Sequence, residues 1–155
     1  MAVDMFLKVD GIPGESLDSK HKGEIDILSF SWGASRATDP TGGAVGLHDF
    51  SFGHRLDFAS PQLMLACASG KHIPTALLTV RKSTQKAPVE YMKVTLSDCL
   101  VSSFQSGGHG EALPTESFSL NFAKVKIFYE KVRLDGSVGE SETVEFLNPD
   151  RNPAG

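Results

Sequence analysis

Apolar and polar residues alternate with a period of two along most of the chain, the pattern of strands with one covered face. In AVDMFLKV (residues 2–9), Val3, Met5, Leu7 and Val9 share a face, while Asp4 and Lys8 lie opposite beside Phe6, which predicts a half-buried strand. EIDILSFSWGAS (24–35) predicts a second strand with Leu28, Phe30 and Trp32 on the core face; Ile25, Ile27, Ser29 and Ser31 share the other. Residues 37–46 (ATDPTGGAVG) hold Pro40 and three glycines, too many breakers for an element, and predict a long loop. HDFSFGHRLDF (48–58) then alternates almost without fault, with His48, Phe50, Phe52, His54, Leu56 and Phe58 on one face.

Downstream, ALLTVRK (76–82) and VEYMKVTLSDCLVSSF (89–104) predict two more strands, the second bent or bulged near Asp98, where the alternation of Met92, Val94 and Leu96 breaks. After a loop over 106–114, ESFSLNFAKVKIFYE (116–130) slips phase at Ala123 and Lys124: Phe118, Leu120 and Phe122 share one face, Val125, Ile127 and Tyr129 the other. A turn at Asp135 and Gly136 precedes a last apolar patch, TVEFL (143–147), and the tail 148–155 is expected to fray. Seven or so strands with glycine-bearing connections predict a mainly β fold, either a two-sheet sandwich or a small closed antiparallel barrel, in a single domain spanning 1–155.

Helix signals converge only in SPQLMLACASGKH (60–72): Ser60 at the N-cap, Pro61 at the first helical position and Gly70 past the end predict one short helix over about 61–69. Leu63, Met64, Cys67 and Ala68 form its apolar arc, which directs Cys67 at the sheet. The same stretch offers candidate chemistry, because Cys67, Gly70, Lys71 and His72 lie within six residues. A nucleophilic thiol needs exposure and an electropositive setting, whereas Cys67 sits near a helix C-terminus, where the dipole disfavours a thiolate. A phosphate cradle needs its glycines and lysine before a helix, and here they follow one. His48 and His54 share a face but are separated by about 20 Å along a strand, so spacing makes no metal site of them. No catalytic signature stands out, and no cofactor is expected.

Composition narrows the partners. The 155 residues carry 15 Lys and Arg against 19 Asp and Glu, a net charge of -4, with the basic residues scattered singly. That is not the footprint of a nucleic-acid binder, and no apolar run is long enough to insert in a membrane. Two lone cysteines, Cys67 and Cys99, and no secretory leader predict synthesis in the cytoplasm.

The stretches MAVDMFLKVDGIPGES, EIDILSFSWGAS, SPQLMLACASGKHIP followed by ALLTVRK, VEYMKVTL, LVSSFQSGG and ESFSLNFAKVKIFY, in this order over roughly the first 130 residues, resemble the Hcp family, the haemolysin-coregulated proteins of bacterial type VI secretion. The resemblance implies a compact β-barrel with one helix that forms a homohexamer. Such rings stack on one another into an inner tube, capped by a valine-glycine-repeat spike protein and wrapped by a contractile sheath, and carry secreted effectors in the lumen. It implies extracellular export by type VI secretion without a cleavable signal, and no catalysis. By the same resemblance Ser31, with Ser29, is expected to line the lumen and contact effectors, and Asp39, Pro40, Thr41, Gly42 and Gly43 to form an inter-subunit or inter-ring loop. Family members with C-terminal toxin domains run longer than the 155 residues here. The loop around 38–49 is poorer in glycine than in many relatives, and the segment after Lys131 matches little in the family. The alternative reading is a stand-alone ligand-binding β-barrel, an adhesin or lectin-like module.

Overall fold

The computed structural model describes residues 2–38 and 44–151. Its strands are β1 (Val3–Val9), β2 (Ile25–Asp26), β3 (Ser29–Ser31), β4 (Ala34–Arg36), β5 (Val45–Leu47), β6 (Phe50–Arg55), β7 (Ile73–Lys82), β8 (Val89–Gly107), β9 (Thr115–Asn121), β10 (Lys124–Val132) and β11 (Val138–Leu147), with one helix, α1 (Ser60–Ser69), between β6 and β7.

β8 organises the fold. Its first half pairs antiparallel with β7 on one side and β10 on the other, and its second half pairs with β9. The bend expected near Asp98 is there: Asp98 adopts a φ of 51°, and the register slips by one between Val101 and Ser103. One long strand thereby belongs to two sheets. The first runs β2-β1-β7-β8-β10-β11 and the second β8-β9-β6-β3, and the apolar faces of both meet in one core. The phase slip at Ala123 has the matching cause, since the chain leaves β9, paired to the far half of β8, and returns as β10 on the near half.

The expected closed barrel is not formed. The path of strands ends at β2 on one side and β3 on the other, and these are joined through the chain at residues 27 and 28 rather than by a ladder. At this corner Ile27 N donates to Met5 O of the first sheet, whereas Leu28 N donates to Gly53 O of the second. The corner also corrects the strand predicted over 24–35, which is cut into β2, β3 and β4. Ile25 and Ile27 are buried, Leu28 is exposed, and Trp32 lies at the edge, because the face that counts as inward changes with the sheet. Phe30 keeps its predicted inward side, packed against the core between the outward Ser29 and Ser31, and Trp32 keeps it at the edge, stacked on Phe50.

An aromatic row fills the second sheet's inner face. Phe50 stacks on Phe30, Trp32 and Phe52 at 5.8, 5.7 and 5.0 Å, and Phe52 on Phe118 at 5.3 Å. The alternation over 48–58 ends sooner than predicted: Phe50, Phe52 and His54 are buried, while Leu56 and Phe58 are exposed beyond the end of β6.

α1 starts one residue before the predicted span, with Pro61 in its first turn and Gly70 closing it at φ 69°. Ser60 is not the cap. Ala59 occupies that position, and the Asp57 carboxylate accepts from its N–H, while the Ser60 hydroxyl turns inward. The apolar arc is narrower than predicted: Leu63 and Ala66 are buried and Cys67 packs at the margin of the core, but Met64 and Ala68 face outward. β11 is twice the length of the predicted patch. Beyond it, Asn148 is buried, donating from Nδ2 to Phe122 O, and Arg151 reaches Asn121 and Asp98, so the tail expected to fray begins with anchored residues. Residues 152–155 lie outside the described residues.

Candidate functional site: a hydroxyl-lined face of the second sheet

The outward face of the second sheet is built by register. Ser29 pairs with Gly53, Gly53 with Ser117 and Ser117 with Gln105; one step along, Ser31 pairs with Ser51, Ser51 with Ser119 and Ser119 with Ser103. Strand periodicity puts every member of both rows on the side opposite Phe30, Phe52, Phe118 and Leu120. Eight positions on four strands are therefore seven small or hydroxyl side chains and one glutamine, with no ionisable group. Ser29, Ser31, Ser51, Gly53 and Ser117 border a shallow depression of about 320 Å³ with Phe30 and Phe52 at its floor.

Local chemistry keeps this face flat. A Cβ on Gly53 would lie 2.5 Å from Ser29 Oγ, so glycine is what lets the β3 serine lie over β6. Ser119 Oγ is shared between Ser102 Oγ at 2.7 Å and Ser103 Oγ at 2.5 Å, which locks the β8 end of the row. The two serines singled out from sequence do sit together here, exposed on β3. Ser51, Gly53, Ser117, Ser119, Ser103 and Gln105 were missed. The signal for the first four was present as F-S-F-G and S-F-S-L, where the small residues alternate with the core, but their meeting depends on a register that sequence does not print.

Beneath one end of this face lies a buried polar cluster. Glu116 Oε1 accepts from Ser60 Oγ at 2.5 Å and Oε2 from Ser106 Oγ at 2.9 Å. Oε1 is also 3.1 Å from His54 Nε2, a close contact without an aligned hydrogen bond. Ser60 Oγ also accepts from Asp57 N at 3.0 Å, and burial pushes the Asp57 carboxyl above its ordinary value. The hydroxyl of Ser60 is committed on both sides, and Glu116 rather than His54 is its partner. The cluster ties the start of α1 to β6, β8 and β9.

The motif around Cys67 dissolves. Cys67 packs against the core, His72 Nδ1 pairs with Asp98 at 2.8 Å, and no hydrogen bond joins Cys67 to His72 among the described residues. Cys99 is buried, and burial pushes its thiol up to about 12. Among the described residues no group of three or more His, Cys, Asp or Glu is arranged to hold a metal ion, and no helix is long and apolar enough to cross a membrane. Asp39, Pro40, Thr41, Gly42 and Gly43 lie outside the described residues; the strands flanking them, β4 and β5, pair with each other, Ala34 opposite Leu47.

A second clasp secures the segment between β1 and β2. The His21 ring is buried and stacks on Phe6 with centroids 4.5 Å apart, Nδ1 lies 3.0 Å from Glu24 Oε2, and Nε2 lies 2.6 Å from Glu90 Oε2. Arg81 lies over the Phe6 ring at 4.9 Å and binds Asp18 and Asp4, holding the Asp18 carboxyl down to about 2.

Comparison with known proteins agrees with this architecture. Residues 6–129 match the family model described as "Type VI secretion system effector, Hcp". Protein hcp1 of Pseudomonas aeruginosa is 46% identical over 144 residues, covering 88% of this chain and 89% of that protein. The crystal structure of Hcp1 from Salmonella typhimurium superposes with a TM-score of 0.79 at 39% identity, covering 97% of both chains. That of a type VI secretion system effector from Yersinia pestis gives 0.76 at 32% identity, covering 93% of this chain and 99% of that one. With the family model spanning most of the chain and a relative 46% identical over 88% of it, this protein belongs to the Hcp family of type VI secretion.

Proposed function

We propose that this chain is the structural subunit of a type VI secretion inner tube, a homohexameric ring that stacks on itself and carries effectors in its lumen. The observation that carries the lumen assignment is the pair of rows on the second sheet. A wall that binds folded cargo and then releases it needs hydrogen-bonding groups without fixed charge or deep apolar pockets, and four strands supply hydroxyls, one amide and shallow relief. In this reading Ser29 and Ser31 contact cargo, Asp39, Pro40, Thr41, Gly42 and Gly43 contact the neighbouring subunit or ring, and the spike protein and contractile sheath meet the assembled tube. The subunit is made in the bacterial cytoplasm and leaves by type VI secretion, a structural role in which no catalytic step is assigned to it. A stand-alone ligand-binding module is disfavoured, because the depression between Ser29 and Ser117 is open and shallow, unlike the enclosed apolar pocket of a small-molecule site.

Light scattering coupled to size exclusion, with negative-stain images, tests the assembly: particles of six subunits with a central hole are expected, and a strict monomer at about 100 μM would sink the reading. Ser31→Trp then tests the lumen. Rings of unchanged mass that fail to retain a co-expressed effector are expected; loss of rings would show that Ser31 faces a subunit contact instead.

A further inference from the structure

The first sheet is wider than the second. Past β8 it continues through β10 and β11, and among the described residues the cover over its inner face thins toward β11. Register puts Val125 beside Phe146, Ile127 beside Val144 and Tyr129 beside Glu142 on the same side as the buried Val94 and Leu96. Burial decays across this row: Val125 is 5% exposed, but Tyr129, Val144 and Phe146 are 45, 53 and 48% exposed. The core surface simply runs out from under its cover. Moreover, β11 is a ten-residue edge without proline, paired on one side only, an open ladder of the kind that proteins ordinarily blunt or cover.

A second apolar group stands elsewhere on the molecule. Leu56 and Phe58 lead into α1, Met64 and Leu65 sit on its outward side, and all four are more than half exposed. These two surfaces are unlike, as the two halves of a ring contact must be. Their charges also match: Glu142 lies on the overhanging face and Arg55 at the head of the α1 arm, and neither joins an ion pair among the described residues. The seven apolar side chains together leave on the order of 600 Å² in water, a large share of the apolar part of a standard interface of about 1,600 Å².

We propose that the overhanging inner face of β10 and β11 docks on the α1 arm of a second copy of this chain, Tyr129, Val144 and Phe146 covering Phe58, Met64 and Leu65, with Glu142 meeting Arg55. This rests on the ring reading above and names the surfaces that close the ring. The neighbour's α1 arm thus continues the layer that the protomer's own second sheet leaves off.

The test is made on the full chain. Val144→Glu with Phe146→Glu is expected to lower the scattering mass about sixfold, to the 16.6 kDa monomer, with an unchanged circular dichroism spectrum. Thr143→Glu, on the opposite face of β11, is expected to leave the oligomer intact. A second measurement does not depend on the charged variants folding. With Cys67 replaced by alanine, Phe146→Cys and Leu65→Cys in one chain should oxidise to a covalent ladder beyond the dimer, whereas either cysteine alone should stop at the dimer. Full-mass oligomers of the double glutamate variant, or no ladder from an intact wild-type-like oligomer, would overturn the contact and leave the ring reading standing. A monomeric wild-type chain would overturn both.

Discussion

Glu116 is the residue whose removal the structure prices most clearly. Its side chain is buried, it accepts from the Ser60 and Ser106 hydroxyls at 2.5 and 2.9 Å, and it stands 3.1 Å from the fully buried His54 ring. Glu116→Ala strands the buried Ser60 hydroxyl, whereas the exposed Ser106 hydroxyl can turn to water, and at about 1–3 kcal/mol for an unsatisfied buried group the loss is about 1–3 kcal/mol. At about 2–4 °C per kcal/mol for a chain of this length, the midpoint should fall by about 2–12 °C. Glu116→Gln keeps the shape and one acceptor oxygen and should lose about 1–2 kcal/mol. The assay is thermal unfolding by far-ultraviolet circular dichroism at one fixed protein concentration, because assembly makes the midpoint concentration-dependent. Adding Ser60→Ala should give a coupling of about 0.5–3 kcal/mol with Glu116→Ala, since the two share one hydrogen bond. If Glu116→Ala is no more harmful than Glu111→Ala on the exposed 108–114 loop, within about 0.5 kcal/mol, then the cluster does not hold α1 to the second sheet.

Three further outcomes are expected. Burial alone would lower the His21 pKa, but hydrogen bonds to Glu90 and then Glu24 outweigh it and raise the pKa above the ordinary 6.5. A raised pKa stabilises the fold below the unfolded value and loses that stabilisation as pH climbs through the folded one, so unfolding midpoints should decline from about pH 6.5 upward; His21→Gln should flatten that decline, and a wild-type profile still sloping in the variant would refute the assignment. Gly14→Ala should cost about 2 kcal/mol or more, because the new Cβ would lie 2.5 Å from Glu24 O and 2.8 Å from Ile25 Cα, both backbone; Gly110→Ala, with nothing within 4 Å, should be neutral in the same urea titration. Iodoacetamide followed by mass spectrometry should label Cys67 slowly in the native protein and Cys99 only on unfolding, the order of their burial; native labelling of Cys99 would contradict its place in the core.

Strands with regular alternation were legible, and so were the places where alternation failed. The break near Asp98 and the slip at Ala123 are the positions where one chain serves two sheets, and each left a mark because the covered face changes there. The same logic misled at 25–32. Ile25 and Ile27 obey the first sheet, Phe30 and the edge residue Trp32 the second, and a single strand forced through both assigned Leu28 to the core. Barrel closure was unreadable because it depends on whether β2 and β3 pair laterally or only follow one another, which periodicity does not encode. In α1, Ser60 read as a cap because serine accepts from amides of the first turn, yet its oxygen accepts from the Asp57 N–H behind it and its proton goes to a carboxylate 56 residues away. The hydroxyl-lined face was half legible: two serines came with the resemblance, while the other members of the rows needed the register of β6, β8 and β9.

Sharing β8 between two sheets also fixes the order in which the molecule can be made. As the chain leaves the ribosome, β1, β7 and the near half of β8 can pair among themselves as soon as Cys99 has emerged. The second sheet cannot, because β6 has only β3 and β9 as partners and the far half of β8 has only β9. Until Asn121 is synthesised, the aromatic face of Phe50 and Phe52 and the far half of β8 are both left open. Non-local pairing of this kind is slow and exposes apolar edges to other chains. Growing chains therefore pass through a state in which half the core awaits a single seven-residue strand, and crowding of nascent subunits at that stage is the hazard that this fold carries.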